Sequence, residues 1–193
     1  MKLAIFFPGI GYTNDKPLMY YSRKITRDLG YEELCVEYHD LPEKVRGDRK
    51  KLFEAANLAY DQAKEKLEEC DFTKYEEIVL VGKSIGTYLA TQIASEVIKP
   101  ILKREDAAGV KVRLVLYTPV ESTFSPVIRN AIAFIGTSDP WSELEGVKRL
   151  AKEQAVPLHL YSGGNHSLEC GEPLKDIETL SEVMKLTEEF LKK

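Results

Sequence analysis

The sequence predicts a single doubly wound α/β domain on a mainly parallel sheet, and three observations carry that prediction. Short apolar runs recur along the chain, most of them lack the in-out alternation of a half-solvated strand, and amphipathic helical patterns separate them. Strands that are apolar at nearly every position suit a sheet covered by helices on both faces. The alternation of strand and helix implies right-handed crossovers between parallel neighbours. A chain of 193 residues supplies one domain that buries about 70% of its unfolded surface, so residues 1–193 are read as one unit.

The first strand is Leu3-Ala4-Ile5-Phe6-Phe7, closed at once by Pro8-Gly9. A weaker run from Leu34 to Tyr38 gives the second, and Ile78 to Val81 the third. Val112 to Tyr117, Ala131 to Ile135 and Leu158 to Tyr161 give the remaining three. Between the second and third strands, Leu52, Phe53, Ala56, Ala59, Ala63 and Leu67 recur at helical steps. After the third strand Tyr88, Leu89, Ile93 and Val97 do the same, and Lys99-Pro100 is expected to stop that helix. Leu144, Val147 and Leu150 mark a further helix. Leu174, Ile177, Leu180, Val183, Leu186 and Phe190 form one stripe of a long C-terminal helix, expected to dock along its length. The connection from Thr118 to Asn130 contains two prolines and has room for only a short helix, so no lid domain fits there.

Composition narrows the functional classes. With 27 basic against 31 acidic residues the formal net charge is −4, which supplies no cationic field for nucleic acid. No apolar run approaches the ~18 residues of a membrane span, and the N-terminal run is too short for a signal peptide. A cytoplasmic protein with neither a membrane nor a nucleic-acid partner is expected. Cys35, Cys70 and Cys170 are odd in number and form no C-x-x-C pair, so a reducing compartment leaves them as thiols. No metal or cofactor is expected.

The informative segment is Gly82-Lys83-Ser84-Ile85-Gly86, which follows the third strand directly and opens a helix. It reads G-x-S-x-G in the strand-turn-helix context in which a serine is held on a strained elbow. Small residues are needed two before and two after the serine, because strand and helix cross closely there. Three fixed positions match by chance in about one such chain in fifteen, so the context carries more weight than the match. A phosphate-binding loop ending in Gly82-Lys83-Ser84 would need glycine where Glu77 stands, and the strand leaves no loop to wrap a phosphate. A purely structural turn is the remaining bland reading.

A serine hydroxyl needs a base within hydrogen-bond reach and a group that orients the base. Of three histidines, His39 follows the second strand beside Asp40, and His159 lies within the last strand, in packing. His166, in Gly163-Gly164-Asn165-His166-Ser167, leaves the carboxyl end of the last strand, the edge where sites in such folds lie. Asp139 follows the fifth strand and is the favoured orienting acid. It also reads as a helix N-cap with Pro140 at the first helical position. Glu121, beyond the fourth strand, is the competing acid.

Together, Gly82-Lys83-Ser84-Ile85-Gly86, Gly136-Thr137-Ser138-Asp139 and Gly164-Asn165-His166-Ser167-Leu168 resemble the Ser, acid, His succession of the α/β-hydrolase superfamily, within it the small lidless esterases and dienelactone-hydrolase-like members. The resemblance spans nearly the whole chain. It implies Ser84 as nucleophile, His166 as general base and acid, and Asp139 as its orienter. It also implies a six-stranded sheet of order 2-1-3-4-5-6, with the first strand here equivalent to the family's third. In that order the loop after strand 1 faces the elbow, and backbone amides of Ile10 and Ile85 are expected to bind the oxyanion. Many family members have His-Gly where this chain has Pro8-Gly9, so Gly11 is an alternative donor. The rival dinucleotide fingerprint fails, because its third glycine falls on Asn14 and Pro17 follows soon after.

Gly11, Tyr12, Lys83 and Glu121 are the remaining candidates for contact with substrate. For Lys83, attraction of an acidic substrate stands against an ordinary solvent-facing lysine. Tyr12, Tyr20, Tyr21, Tyr88, Tyr117 and Tyr161 either line a cleft or pack. The expected activity is cleavage of a small-molecule carboxylic ester or thioester through an acyl-enzyme. An acyltransferase or peptidase on the same site, and a non-catalytic binding or scaffold protein on the same fold, are the alternatives.

Overall fold

The computed structural model describes residues 1–105, 107 and 109–193. Six strands form one sheet of order β2-β1-β3-β4-β5-β6: β1 (Lys2–Phe7), β2 (Tyr31–Cys35), β3 (Glu77–Lys83), β4 (Lys111–Tyr117), β5 (Ala131–Gly136) and β6 (Leu158–Tyr161). Every pairing is parallel. The sequence reading of strand order, absent lid and single sheet therefore holds. The second strand begins earlier than expected, because Tyr31 to Cys35 pair with β1 while Val36 only donates its amide to the Phe6 carbonyl.

Helices cover both faces. On one side α2 (Arg49–Leu67), α3 (Ile85–Gln92), α4 (Lys99–Arg104) and α5 (Leu144–Glu153) pack Ala59, Ala63, Leu89, Ala90, Leu102 and Val147 onto Ile5, Ile78, Leu80 and Leu116. On the other, α1 (Pro17–Asp28) and α6 (Pro173–Leu191) pack Leu18, Met19, Val183 and Leu191 onto Phe6, Val79, Val81 and Phe134. Burial on both faces explains why the strands read as continuous apolar runs. Each fully buried Leu, Ile or Phe contributes roughly 1.5–3 kcal/mol of transfer free energy. His159 of β6 stacks on Phe134 with ring centroids 5.2 Å apart, a packing position as expected.

Three local expectations change. Lys99-Pro100 does not end a helix: α3 continues through a π-helical segment, Ile93–Ile98, into α4 with Pro100 near its start. Pro100 stands just after the π-helical turn and has no amide to offer that turn's carbonyls. Asp139-Pro140 does not open α5, which begins at Leu144 with Glu143 accepting from the Glu145 and Gly146 amides. The stripe on α6 docks only from Leu180 onward, since Leu174 and Ile177 are exposed. A short 3-10 turn at Glu121–Phe124 is the one helical piece in the connection from Thr118 to Asn130 among the described residues. No helix is long and apolar enough to cross a membrane among those residues.

Candidate active site

The site is built at the carboxyl edge of the sheet, where β3 passes into α3. Ser84 has φ of 58° and ψ of −124°, a region that L-residues enter at a cost of about 1–3 kcal/mol. Two features hold it there. Its amide donates to the Tyr117 carbonyl on β4 at 2.9 Å, and the Thr87 hydroxyl donates to its carbonyl at 2.6 Å. Thr87 in turn shares a 2.6 Å hydroxyl contact with Thr123 of the 3-10 turn. The glycines of the motif meet the expected demand, since a Cβ on Gly86 would overlap the Phe7 carbonyl and one on Gly82 the Gly86 backbone.

His166 is brought to the serine by the loop after β6. Ser84 Oγ lies 2.7 Å from His166 Nε2, and His166 Nδ1 lies 2.9 and 2.8 Å from the two carboxylate oxygens of Asp139. With the proton on Nδ1, the imidazole donates to Asp139 and accepts from the serine hydroxyl. Asp139 follows β5, its side chain 1% exposed against 16% for that of His166. Burial, which strips water from the charged ring, pulls the His166 pKa below its ordinary value. The bond to Asp139 opposes that shift and the Lys83 ammonium adds to it.

The other candidates fall at different distances from this chain of contacts. Glu121 accepts from the Glu143 amide at 3.0 Å and makes no bond to the imidazole. His39 hydrogen-bonds through its backbone to Gln62. The loop after β1 lies against the elbow: a Cβ added to Gly9 would fall 3.1 Å from Ser84 Cβ. Gly9 and Tyr12 exchange two backbone bonds of 3.1 Å, which leaves the amides of Ile10 and Gly11 outside that pair, at the tip. Ile85 is the first residue of α3, so its amide is one that the helix itself cannot satisfy. Tyr12 points inward, its hydroxyl accepting from the Leu18 amide at 3.1 Å. Tyr117 is fully buried, and its phenol bridges Ser22 of α1 and Thr187 of α6 at 2.8 Å each. Tyr20 and Tyr21 are exposed on α1.

Lys83 differs from the solvent-facing expectation: it is 2% exposed, with Nζ 4.7 Å over the Tyr12 ring. Sequence reasoning missed Trp141. Its ring stacks on the His166 imidazole at 5.5 Å, its amide donates to Asp139 Oδ1 at 2.9 Å, and the Arg46 guanidinium lies 5.8 Å from the centre of its ring. The available signal was its position two residues after the acid, as the chain's single tryptophan. Among the described residues no group of three His, Cys, Asp or Glu side chains could hold a metal ion.

The sequence matches no family model and no curated protein. Solved structures do share its fold. A serine hydrolase homologue from Coxiella burnetii is 17% identical with a TM-score of 0.63, over 96% of this chain and 84% of that one. A lidless serine hydrolase from Xanthomonas campestris is 13% identical with a TM-score of 0.60, over 99% and 81%. An esterase from Pyrococcus furiosus is 16% identical with a TM-score of 0.60, over 99% and 82%. The chain thus has the α/β-hydrolase fold without a lid.

Proposed function

We propose that the protein is a serine hydrolase that cleaves a small carboxylic ester or thioester through an acyl-enzyme. The observation that carries this reading is the unbroken contact chain from Ser84 Oγ through the His166 ring to the Asp139 carboxylate, with both imidazole nitrogens engaged at 2.9 Å or less. In this mechanism His166 Nε2 takes the hydroxyl proton as Ser84 Oγ forms a bond to the acyl carbon. Asp139 steadies the resulting imidazolium. Collapse of the tetrahedral adduct breaks the bond to the leaving group, which departs with the proton from His166. Water then enters, gives its proton to His166, attacks the acyl carbon and releases the acid, restoring the Ser84 hydroxyl.

The amides of Ile85 and of Ile10, or Gly11 in its stead, are the donors for the developing oxyanion. Support comes from the loop after β1 lying on the nucleophile and from the free helix start at Ile85. No lid covers this edge among the described residues, which leaves the site open to varied acyl groups. A fluorophosphonate probe is expected to label the wild type at Ser84 and to leave Ser84→Ala unlabelled. Equal labelling of both proteins, or of neither, overturns the reading.

A further inference from the structure

β1, β3 and β4 separate β2 from β5 in the sheet, yet the segment that leaves β2 reaches the loop after β5. It delivers Arg46, whose guanidinium lies 5.8 Å from the centre of the Trp141 ring. The backbone that presents Arg46 is fixed on both sides. Val45 before it is 5% exposed, and the Asp48 amide donates to the Val45 carbonyl at 3.1 Å, closing a four-residue turn. Gly47, third in that turn, takes a φ of 80°, which glycine adopts without strain. Asp48 then caps α2, its carboxylate accepting from the Lys50 and Lys51 amides at 3.1 and 3.0 Å.

Trp141 in turn stacks on the His166 imidazole with centroids 5.5 Å apart, and it is 36% exposed. The guanidinium is therefore no further from the imidazole than the two separations laid end to end. Among the described residues no carboxylate pairs with Arg46 within 4.0 Å. Lys44, Lys50 and Lys51, against Glu43 and the capping Asp48, leave this stretch of the sequence locally cationic in a chain of formal net charge −4. An arginine on an aromatic face keeps the N–H donors at its edge free for a planar anion, and a carboxylate matches them with two parallel bonds.

We propose that Arg46 is a specificity-determining residue that binds a carboxylate carried on the alcohol part of the ester, the part that leaves. The side of the elbow decides which part of the substrate it meets. The ester carbonyl oxygen faces the loop after β1 and the start of α3, where the oxyanion donors stand. His166 comes from the opposite side, after β6, and hands its proton to the departing oxygen. A leaving group at His166 passes Trp141, and Arg46 stands at the end of that path. A flat alcohol lies against the exposed part of Trp141 while its carboxylate meets the guanidinium. This deepens the hydrolase reading and rests on it, since that reading places the leaving group at His166.

The experiment compares 4-acetoxybenzoate, an ester with a carboxylate on its leaving group, with phenyl acetate, which lacks it. Trp141 is the single tryptophan of the chain, so its fluorescence reports binding here without turnover. In Ser84→Ala the carboxylate ester is expected to change the emission saturably, with a Kd about tenfold or more below that of phenyl acetate. Arg46→Gln on that background removes the advantage, and Arg46→Lys, which keeps the charge but not the planar fork, restores part of it. With Ser84 intact, the ratio of kcat/KM for the two esters falls by the same factor in Arg46→Gln, chiefly through KM. An Arg46 that only braces Trp141 would move both esters together, and an unchanged ratio overturns the proposal. Equal affinity of the two esters in Ser84→Ala, or no binding of the carboxylate ester, overturns it whether or not the Arg46 variants fold. Carboxylate-dependent binding in a protein whose Ser84 resists the fluorophosphonate probe upholds the carboxylate site at Arg46 and refutes the hydrolase reading instead.

Discussion

The amide of Ser138 donates to the carbonyl of Gly164 across 2.9 Å, and that backbone bond joins the loop carrying Asp139 to the loop carrying His166. The approach is possible because Gly136 has no side chain: a Cβ there would overlap the Gly164 carbonyl. Carboxylate and imidazole are thus oriented by main chain, which is stiffer than a contact between two free side chains. Fixed geometry before substrate arrives is what makes such a relay effective.

If Asp139 orients the base, Asp139→Asn lowers kcat for p-nitrophenyl esters by about three to four powers of ten, because the amide no longer fixes the Nδ1–H tautomer. Glu121→Gln stays within about threefold of wild type, since Glu121 bonds to the Glu143 amide and not to the imidazole. Steady-state rates of the two variants decide between the acids.

The depressed pKa of His166 sets a direction for the pH profile. If His166 is the general base, protonation of the ring removes it, and kcat/KM falls on the acid side through an apparent pKa below 6.5, the ordinary histidine value. A limb centred above 6.5 contradicts this. The same depression affects stability: between the two values the unfolded chain binds the proton and the folded one does not, so this part of the stability is lost as pH falls.

Gly86→Ala should fail to fold or lose at least about 2 kcal/mol, read from urea midpoints. The added methyl would meet the backbone of Phe7 and Pro8, and neither a strand end nor its following loop yields as a flexible side chain does. Retention of wild-type midpoint and activity would show that the crossing of β1 and α3 is looser than described.

Lys83→Met carries a thermodynamic signature of its own. Folding lowers the Lys83 pKa from 10.5 to about 7, so between those values the unfolded chain holds a proton that the folded chain has released. Stability from this group therefore rises with pH across that window, is complete above it, and is absent below about 7. Replacing the ammonium with a thioether removes a penalty on the order of a few kcal/mol at acid and neutral pH. The melting-temperature gain of Lys83→Met over wild type should be largest near pH 6 and shrink toward pH 10. A gain independent of pH would mean that packing alone distinguishes the two side chains.

Much of the architecture was legible because burial on both faces writes itself into composition. Strands β1, β3, β4, β5 and β6 were recognisable as apolar runs, and their parallel pairing followed from the helices between them. What misled was local chemistry that context overrode. Asp139-Pro140 carries the residues of a helix start, yet the aspartate is committed to His166 and the Trp141 amide, so the helix waits for Glu143. Pro100 looks like a stop, but the π-helical turn before it lets the chain continue without the missing amide. Leu174 and Ile177 share the stripe of α6 and remain exposed because the first turns of that helix extend past the sheet-covering contacts that begin at Leu180.

By itself the sequence determined the order of elements, the strained serine between two small residues, and a loop histidine and aspartate at one sheet edge, since each depends on short-range sterics and periodicity. Only the tertiary structure decided that Asp139 rather than Glu121 meets the imidazole, that Trp141 covers it, and that Lys83 lies buried under Tyr12. Those outcomes depend on how loops separated by dozens of residues pack against one another, and no local pattern encodes a distance across the fold.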